Sequence, residues 1–227
     1  ILFPEKGSSP PAFVADECKD NSPMTSQPAS HPATPPRPLI LGSTSPYRHA
    51  LLLRLGLPFQ TVSPEVDETP LPGEAPVALA LRLAREKAAS VARRHPQAIV
   101  IGSDQVADLH GEPLGKPGNH ERALVQLTRM SGQTVVFQTA LSVQCLASGF
   151  EQSAVAAVRV VFRHLGTDEI ERYLRAEQPY DCAGSAKSEG LGIALLAQID
   201  NDDPTALIGL PLIRTCQMLR AAGLAVP

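Results

Sequence analysis

Hydroxyl, aromatic and guanidinium side chains follow the first apolar run of the chain, in residues 42–48. Residues 39–41 are apolar and Pro46 begins a stretch of helical periodicity, which predicts a strand, a tight turn and a helix. A helix start exposes free backbone N–H groups, so serines and an arginine there favour a bound phosphate. Spacing alone also allows a plain serine helix cap, with Arg48 paired to a carboxylate.

Asp104 follows a second apolar run, residues 98–101. A Gly-Ser pair comes directly after this run, as it does after the first run. A carboxylate directly after a buried strand lies at the rim of the sheet, where it can accept a proton from water or ligate a divalent cation. The alternative is a turn residue whose carboxylate binds its own backbone. Asp104 is therefore a candidate general base or metal ligand.

More charged residues lie between and beyond these two segments. Glu65, Asp67 and Glu68 repel one another unless they are solvated or bridged by a cation, so a metal site and a solvated loop both stay open. Lys87 flanks the apolar face of a predicted helix, where a lysine ordinarily extends its ammonium to solvent. Lys116 lies between a glycine and a proline, which indicates a charge placed by its loop.

Residues 181–190 are mostly small and contain one lysine and Glu189. Such a segment allows the backbone to approach a ligand closely, and it is equally typical of a flexible surface loop. The acidic residues at 200–203 predict a solvated loop. No phosphate-binding G-x-x-x-x-G-K-[ST], dinucleotide-binding G-x-G-x-x-G or hydrolase G-x-S-x-G sequence is present.

The elements that must position these residues alternate between strands and helices. Further helical patterns begin at Pro76, Asn119 and Thr167, and another covers residues 210–221. Further strands are predicted over residues 59–62, 134–146, 154–162 and 193–199. Alternation of this kind, with Gly-Ser at two strand ends, predicts an α/β fold that binds its ligand where the strands end.

Composition excludes several classes of protein. The chain has 227 residues, of which 43% are hydrophobic, and a net charge of −3, so no surface binds nucleic acid through bulk positive charge. It has no long apolar run and no signal-peptide pattern, so we expect a cytoplasmic protein without a membrane partner. The four cysteines lie far apart, which predicts isolated thiols rather than a disulfide framework or a zinc site.

The first part of the chain differs from the rest in composition. Nine of the 22 prolines fall within residues 1–38. We therefore expect residues 1–37 to form a disordered extension and residues 38–227 to form the folded domain. If Met24 is the native start, residues 1–23 are upstream sequence.

Taken together, the motifs resemble those of the Maf family of nucleoside triphosphate pyrophosphatases. Eight of them occur in order: Ser43-Thr44-Ser45-Pro46-x-Arg48, Glu65-Val66-Asp67-Glu68, Glu86-Lys87-Ala88, Gly102-Ser103-Asp104, Gly115-Lys116-Pro117, Ser131-Gly132-x-Thr134, Ala183-Gly184-Ser185 and Gly209-Leu210-Pro211. The resemblance implies a mixed twisted sheet flanked by helices, similar to the inosine triphosphate pyrophosphatases, with the active-site cleft at strand ends. It also implies a homodimer.

The family's activity releases pyrophosphate from a nucleoside triphosphate. By this resemblance Asp104 is the proton acceptor that activates water. Arg48, Lys87 and Lys116 would hold the triphosphate, and Ser43 and Ser45 would add hydrogen bonds. Asp104 would hold a divalent cation, Mg²⁺ or Mn²⁺, together with Glu68 or, as the alternative second ligand, Asp67.

At three positions the chain differs from the family branch that acts on dTTP and UTP and resembles the branch that acts on 7-methyl-GTP. These positions are Tyr47, Gln105 and Glu189. The methylated base carries a positive charge that can stack on Tyr47, and Glu189 can accept from the guanine N1–H and amino group. The resemblance thus implies hydrolysis of 7-methyl-GTP to 7-methyl-GMP and pyrophosphate. The alternatives are a pyrophosphatase for dTTP/UTP or ITP/XTP, and a non-catalytic nucleotide-binding regulator of cell division.

Overall fold

The computed structural model describes residues 37–226, which belong to one compact unit. Apart from Arg37, the predicted proline-rich extension lies outside the described residues. The described part is an α/β fold with seven strands and five α-helices, as the sequence predicted. None of its helices is both long and apolar enough to cross a membrane.

The strands and helices alternate along most of the chain. In order they are β1 (Leu39–Gly42), α1 (Pro46–Leu53), β2 (Gln60–Thr61), α2 (Pro76–Arg94), β3 (Ile99–Leu109), β4 (Glu112–Leu114), α3 (His120–Met130), β5 (Thr134–Cys145), β6 (Phe150–Phe162), α4 (Thr167–Glu177), β7 (Leu196–Asp200) and α5 (Leu212–Ala221). Short 3₁₀ turns at Ala183–Ser185, Leu191–Leu195 and Ala206–Ile208 connect the later elements. The strand predicted over residues 193–199 is thus a 3₁₀ turn in its first part.

The sheet is mixed, with the order β2-β1-β3-β5-β6-β7 and with β4 paired to β3. β1 runs parallel to both β2 and β3, whereas β3, β5, β6 and β7 pair antiparallel. Helices cover both faces of β1, so all of its residues are buried: Leu39 and Leu41 pack with α1 and α5, and Ile40 packs with α2. Burial on both faces explains why this strand is a continuous apolar run.

Asp104 lies within a strand rather than after one, which corrects the prediction. β1 ends at Gly42, opposite Gly102, but β3 continues to Leu109 on its pairing with β5. On its other edge β3 pairs with β4 only from Ala107 onward. Residues 103–106 therefore face a gap in the sheet between the end of β1 and the start of β4. Asp104 therefore lies just beyond the end of the neighbouring strand β1, and not at the end of its own strand β3.

α2 packs very closely on β3 at Gly102. A Cβ atom added there would lie 2.3 Å from the Ala84 carbonyl oxygen and 2.5 Å from the Ala88 backbone nitrogen. Both neighbours are backbone atoms of a helix and cannot rotate away. Glycine at this position is what allows α2 to lie against the strand, and the helix in turn holds Lys87 next to the gap in the sheet.

The acidic residues before α5 are not simply a solvated loop, as the sequence predicted. The Asp203 side chain is completely buried, and it accepts hydrogen bonds from the Arg214 backbone N–H at 3.1 Å and from the Thr205 hydroxyl at 3.2 Å. Asp202 forms an ion pair with the Arg214 guanidinium at 2.9 Å. These contacts hold the start of α5 and with it the turn over residues 206–209, which borders the gap.

Candidate active site

A cleft with a volume of about 250 Å³ opens at the gap between β1 and β4. It is bordered by the turn after β1, the loop before α2, β3, the loop after β4, the segment after α4 and the turn before α5. Ten candidate site residues named from the sequence line it: Ser43, Ser45, Tyr47, Arg48, Glu68, Lys87, Asp104, Gln105, Lys116 and Glu189. Glu65 and Asp67, the other carboxylates of the acidic loop, do not line it. The tertiary structure thus brings together side chains that are separated by up to 146 positions in sequence, from Ser43 to Glu189.

Lys87 lies at the centre of a buried charge cluster. Its Nζ is 2.6 Å from Asp104 Oδ1 and 2.7 Å from Glu68 Oε1. The Lys87 and Asp104 side chains are 6% and 10% exposed, whereas Glu68 is 56% exposed and faces the opening. Lys87 therefore does not extend to solvent: it emerges from the buried face of α2 and neutralises a carboxylate that would be costly to bury alone.

Arg48 and Lys116 add positive charge around this cluster. Arg48 Nε donates to the Gly209 carbonyl oxygen at 2.8 Å, and among the described residues no carboxylate oxygen lies within 4.0 Å of its guanidinium. Burial lowers the Arg48 pKa, while Asp104 and Glu68 oppose that shift. Lys116 is exposed at the cleft edge. The carboxylate pairing left open for Arg48 by its spacing is therefore absent from the part of the chain that the structure describes.

The serines of the first turn stabilise the start of α1 and can also donate hydrogen bonds to a ligand. Ser45 is the N-cap of α1 and accepts from the Arg48 backbone N–H at 3.4 Å, and Ser43 Oγ accepts from the Ser45 N–H at 3.1 Å. Each hydroxyl keeps its own proton as a donor. The serine helix cap suggested by the sequence is present, and it is compatible with an anion at the same turn.

The Glu68 carboxylate near Lys87 is held in the ionised form. Burial raises the pKa of Glu68, but the hydrogen bond from Lys87 and the charges of Lys87, Lys116 and Arg48 outweigh burial, so its pKa falls below its ordinary value. A carboxylate of low pKa stays charged at neutral pH and can accept a cation or repel a second anion. This end of the cleft carries three cationic side chains and two carboxylates.

The other end of the cleft surrounds Tyr47 with acidic groups. The Tyr47 hydroxyl lies 3.4 Å from Asp181 Oδ1, and the Lys187 ammonium lies over the ring, 5.6 Å from its centre. Burial raises the Tyr47 pKa, and Cys182, Asp181 and Glu189 raise it further. A cation already rests on this aromatic face, which shows that the face and its surroundings accept positive charge.

Gln105 faces the turn before α5 instead of standing free in the cleft. Its Nε2 lies 2.9 Å from Thr139 Oγ1 and 3.1 and 3.0 Å from the carbonyl oxygens of Ala206 and Leu207. Side chains alternate along a strand, so Gln105 and Ser103 project to the face opposite Asp104. The geometry gives Gln105 a role in holding residues 206–208, which form one wall of the cleft.

Two carboxylates fit a divalent cation at this site. Asp104 and Glu68 converge on one point, the Lys87 ammonium, and Mg²⁺ commonly takes only one or two protein carboxylates together with phosphate oxygens. No group of three or more His, Cys, Asp or Glu side chains placed to hold a metal occurs within residues 37–226. The donor set thus suits a cation that the nucleotide helps to bind.

Comparison with known proteins identifies the family of the chain. The family profile described as "Maf-like protein" matches residues 38–222. The chain belongs to the Maf family. Curated relatives of this Maf protein include a "7-methyl-GTP pyrophosphatase" of Polaromonas sp., 70% identical over 90% of this chain and 94% of the relative. Proteins of the same name from Albidiferax ferrireducens and Aromatoleum aromaticum are 63% and 58% identical, over 84% and 83% of this chain and 96% and 97% of those relatives.

Sequence reasoning missed two parts of the Maf site. The sequence places Lys187 only in a loop of small residues, whereas its ammonium lies over Tyr47. The turn over residues 206–209 is represented in the sequence only by the Gly209-Leu210-Pro211 motif. In the structure Gly209 has a φ of 123°, which favours glycine, and its carbonyl oxygen accepts from Arg48 and Ser103. A glycine directly before Leu-Pro is the available sequence signal for this turn. No sequence signal indicated the Lys187 contact, because it joins residues 140 positions apart.

Proposed function

We propose that this Maf protein hydrolyses 7-methyl-GTP to 7-methyl-GMP and pyrophosphate. The observation that carries the proposal is the opposite charge character of the two cleft ends. The end with Arg48, Lys87 and Lys116 suits a triphosphate, and the end around Tyr47 already holds a cation on an aromatic face. A nucleotide with a cationic base is the ligand that matches both ends.

The base end is acidic even when Lys187 is counted. Asp181 and Glu189 line the cleft, and Glu177 forms an ion pair with Lys187 at 2.7 Å, so this end carries three carboxylates and one ammonium. A base methylated at N7 brings the additional positive charge. Stacking of that base on Tyr47 is worth about 0.5–2 kcal/mol more than stacking of a neutral base. Glu189, an acceptor only, fits the adjacent N1–H and amino donors of guanine.

At the phosphate end, Asp104 acts as the proton acceptor for the attacking water. Water adds across the bond between the α- and β-phosphates, pyrophosphate leaves, and the released proton passes to the Asp104 carboxylate. Arg48, Lys87 and Lys116 bind the phosphate oxygens and stabilise their developing charge, and Ser43 and Ser45 donate from the turn. Lys87 releases Asp104 for this role when its ammonium turns toward the substrate anion.

Asp104 and Glu68 would hold a divalent cation, Mg²⁺ or Mn²⁺, together with the phosphates. When bound, such a cation neutralises phosphate charge and polarises the phosphoryl oxygens. We assign the catalytic domain to residues 38–227, an assignment supported by the span of the family match.

A nucleotide panel tests the substrate. We expect kcat/KM for 7-methyl-GTP to exceed the values for GTP, ITP, XTP, dTTP and UTP, measured as pyrophosphate release with Mg²⁺. In Tyr47→Leu, the ratio of 7-methyl-GTP to GTP should fall by about 2- to 30-fold, because the cation–π contribution is lost. His49→Leu, on the same helix but outside the cleft lining, is the control. A preference for dTTP or UTP would refute the proposed substrate, and tight nucleotide binding without hydrolysis would favour a regulatory protein.

Replacing Glu68 by Gln tests the metal assignment. We expect the Mg²⁺ concentration for half-maximal activity to rise about tenfold, since one of two anionic ligands becomes neutral. The measurement is pyrophosphate release across a Mg²⁺ titration. Asp67→Asn is the matched control, because Asp67 is the neighbouring carboxylate and binds the Thr69 backbone N–H at 2.9 Å outside the cleft. An unchanged Mg²⁺ requirement in Glu68→Gln would remove Glu68 from the ligand set.

A further inference from the structure

Lys187 is a charged group at the base end that has no role in the function implied by the family resemblance. Its ammonium lies 5.6 Å from the centre of the Tyr47 ring and 2.7 Å from Glu177 Oε1. Glu177 is only 11% exposed, and its second carboxylate oxygen accepts from the Leu191 backbone N–H at 2.7 Å. Glu177 is therefore fixed through both oxygens, and it holds Lys187 at the aromatic ring on which the base is proposed to stack.

The backbone around Lys187 is also held in place. The Lys187 N–H donates to the hydroxyl of Tyr173, a buried residue of α4, at 3.1 Å. Gly192 packs so closely that a Cβ there would lie 2.5 Å from the Lys187 carbonyl oxygen. The segment is a packed wall of the cleft rather than the flexible surface loop that its composition allowed, so its side chains are presented in a defined direction.

The Lys187 ammonium lies beside the cleft rather than among its lining residues. It is 5.6 Å from the centre of the Tyr47 ring, within cation–π distance, and Tyr47 itself lines the cleft. A base that stacks on Tyr47 therefore lies within reach of the long Lys187 side chain. The ammonium has three N–H donors, of which the Glu177 contact uses one.

The edge of guanine presents three groups in a row: the 2-amino donor, the N1–H donor and the O6 acceptor. A carboxylate accepts only, so Glu189 matches the two donors and cannot serve O6. Lysine donates only, and Lys187 lies two positions before Glu189 on the same segment. We propose that Lys187 is a specificity-determining residue that donates to the 6-oxo group of the purine and, with Glu189, recognises the whole guanine edge.

This inference rests on the proposed guanine nucleotide substrate, and it explains how other bases are rejected. Adenine would place its 6-amino donor against the Lys187 ammonium, so two donors would face each other and neither would find an acceptor there. The ion pair with Glu177 compensates the charge of Lys187, which allows a cationic methylated base to lie beside it. Removal of the donor should therefore weaken binding of every 6-oxopurine nucleotide, methylated or not.

The test compares dissociation constants of the full chain by calorimetry for GTP and 6-thio-GTP, in which sulfur, a weak acceptor, replaces O6. Lys187→Met should weaken GTP binding about tenfold or more, as expected for a lost charged hydrogen bond, and 6-thio-GTP binding less than threefold. The preference of the wild-type protein for GTP over 6-thio-GTP should disappear. Lys187→Arg, which keeps a cationic donor, should restore most of that preference, and Arg175→Met on α4 is the charge-loss control.

An equal loss of affinity for both nucleotides in Lys187→Met would assign Lys187 a merely structural role and overturn the inference. Unchanged GTP affinity in Lys187→Met would also overturn the inference. The titrations are made without a divalent cation, so that neither nucleotide is hydrolysed, and they involve no N7-methyl group. The comparison is therefore independent of the substrate panel. A wild-type protein that binds 7-methyl-GTP no better than GTP contradicts the proposed function, while the oxo-to-thio ratio still decides the role of Lys187.

Discussion

Replacing Asp104 with Asn should lower kcat for nucleotide hydrolysis by about 10²- to 10⁴-fold, the contribution typical of a positioned proton acceptor. An amide of the same shape cannot take the proton of the attacking water. The amide oxygen can still accept from Lys87 Nζ, now at 2.6 Å from the carboxylate, and Glu68 remains as an anionic partner of that lysine. We therefore expect a folded protein that binds its nucleotide and does not turn it over.

The measurement is pyrophosphate release under single-turnover conditions, with nucleotide affinity and Tm determined on the same preparation. Asp108→Asn is the matched control, because Asp108 lies on the same strand outside the cleft and accepts from the Gly111 backbone N–H at 2.7 Å. A rate for Asp104→Asn within tenfold of the wild-type rate would exclude Asp104 as the proton acceptor. Loss of nucleotide binding at unchanged Tm would point instead to a ligand-holding role.

The largest expected effect on stability is that of Gly102→Ala. The added methyl group would meet backbone atoms of α2 at 2.3 and 2.5 Å, closer than Cβ atoms pack in folded proteins. Either α2 moves away from β3 or the strand distorts, and overpacking of this kind costs about 1–3 kcal/mol or more. Because α2 carries Lys87, the same displacement should separate it from Asp104 and lower activity in the protein that remains folded.

Thermal and urea unfolding measure this change, and Gly115→Ala is the control. A Cβ at Gly115 has no atom within 4 Å and needs no positive φ, so this variant should unfold within about 1 kcal/mol of the wild type. A Gly102→Ala variant with wild-type stability would show that α2 does not depend on this close approach. The comparison separates the loss of a packing position from the general effect of replacing a glycine.

Most of the candidate site could be predicted from the sequence, because its residues occur in short ordered motifs next to apolar runs. Asp104 was recognisable as a carboxylate that follows a buried strand segment, and Arg48 as a cation beside a helix start. The burial of Lys87 was not recognisable. Its position on the edge of an apolar helical face predicts an ammonium in solvent, whereas the structure buries it with Asp104.

The strand boundary at Asp104 shows a second limit. Gly102 and Ser103 read as the end of a strand, yet β3 continues because β5 pairs with it from Val100 to Asp108. The gap in the sheet arises from the partners of β3, since β1 stops at Gly42. Strand length depends on which neighbours supply hydrogen bonds, and a single segment of sequence does not contain that information.

The sequence by itself determined the local chemistry: the apolar periodicities, the glycines needed for close approach, and the residue types that can hold phosphate and accept a proton. Only the tertiary structure decided which charges meet. Lys87 with Asp104, Tyr47 with Lys187, and Gln105 with the turn before α5 are all contacts between different elements. The physical reason is that helical and strand patterns follow from neighbours a few residues away, whereas burial and ion pairing depend on elements that are distant in the chain.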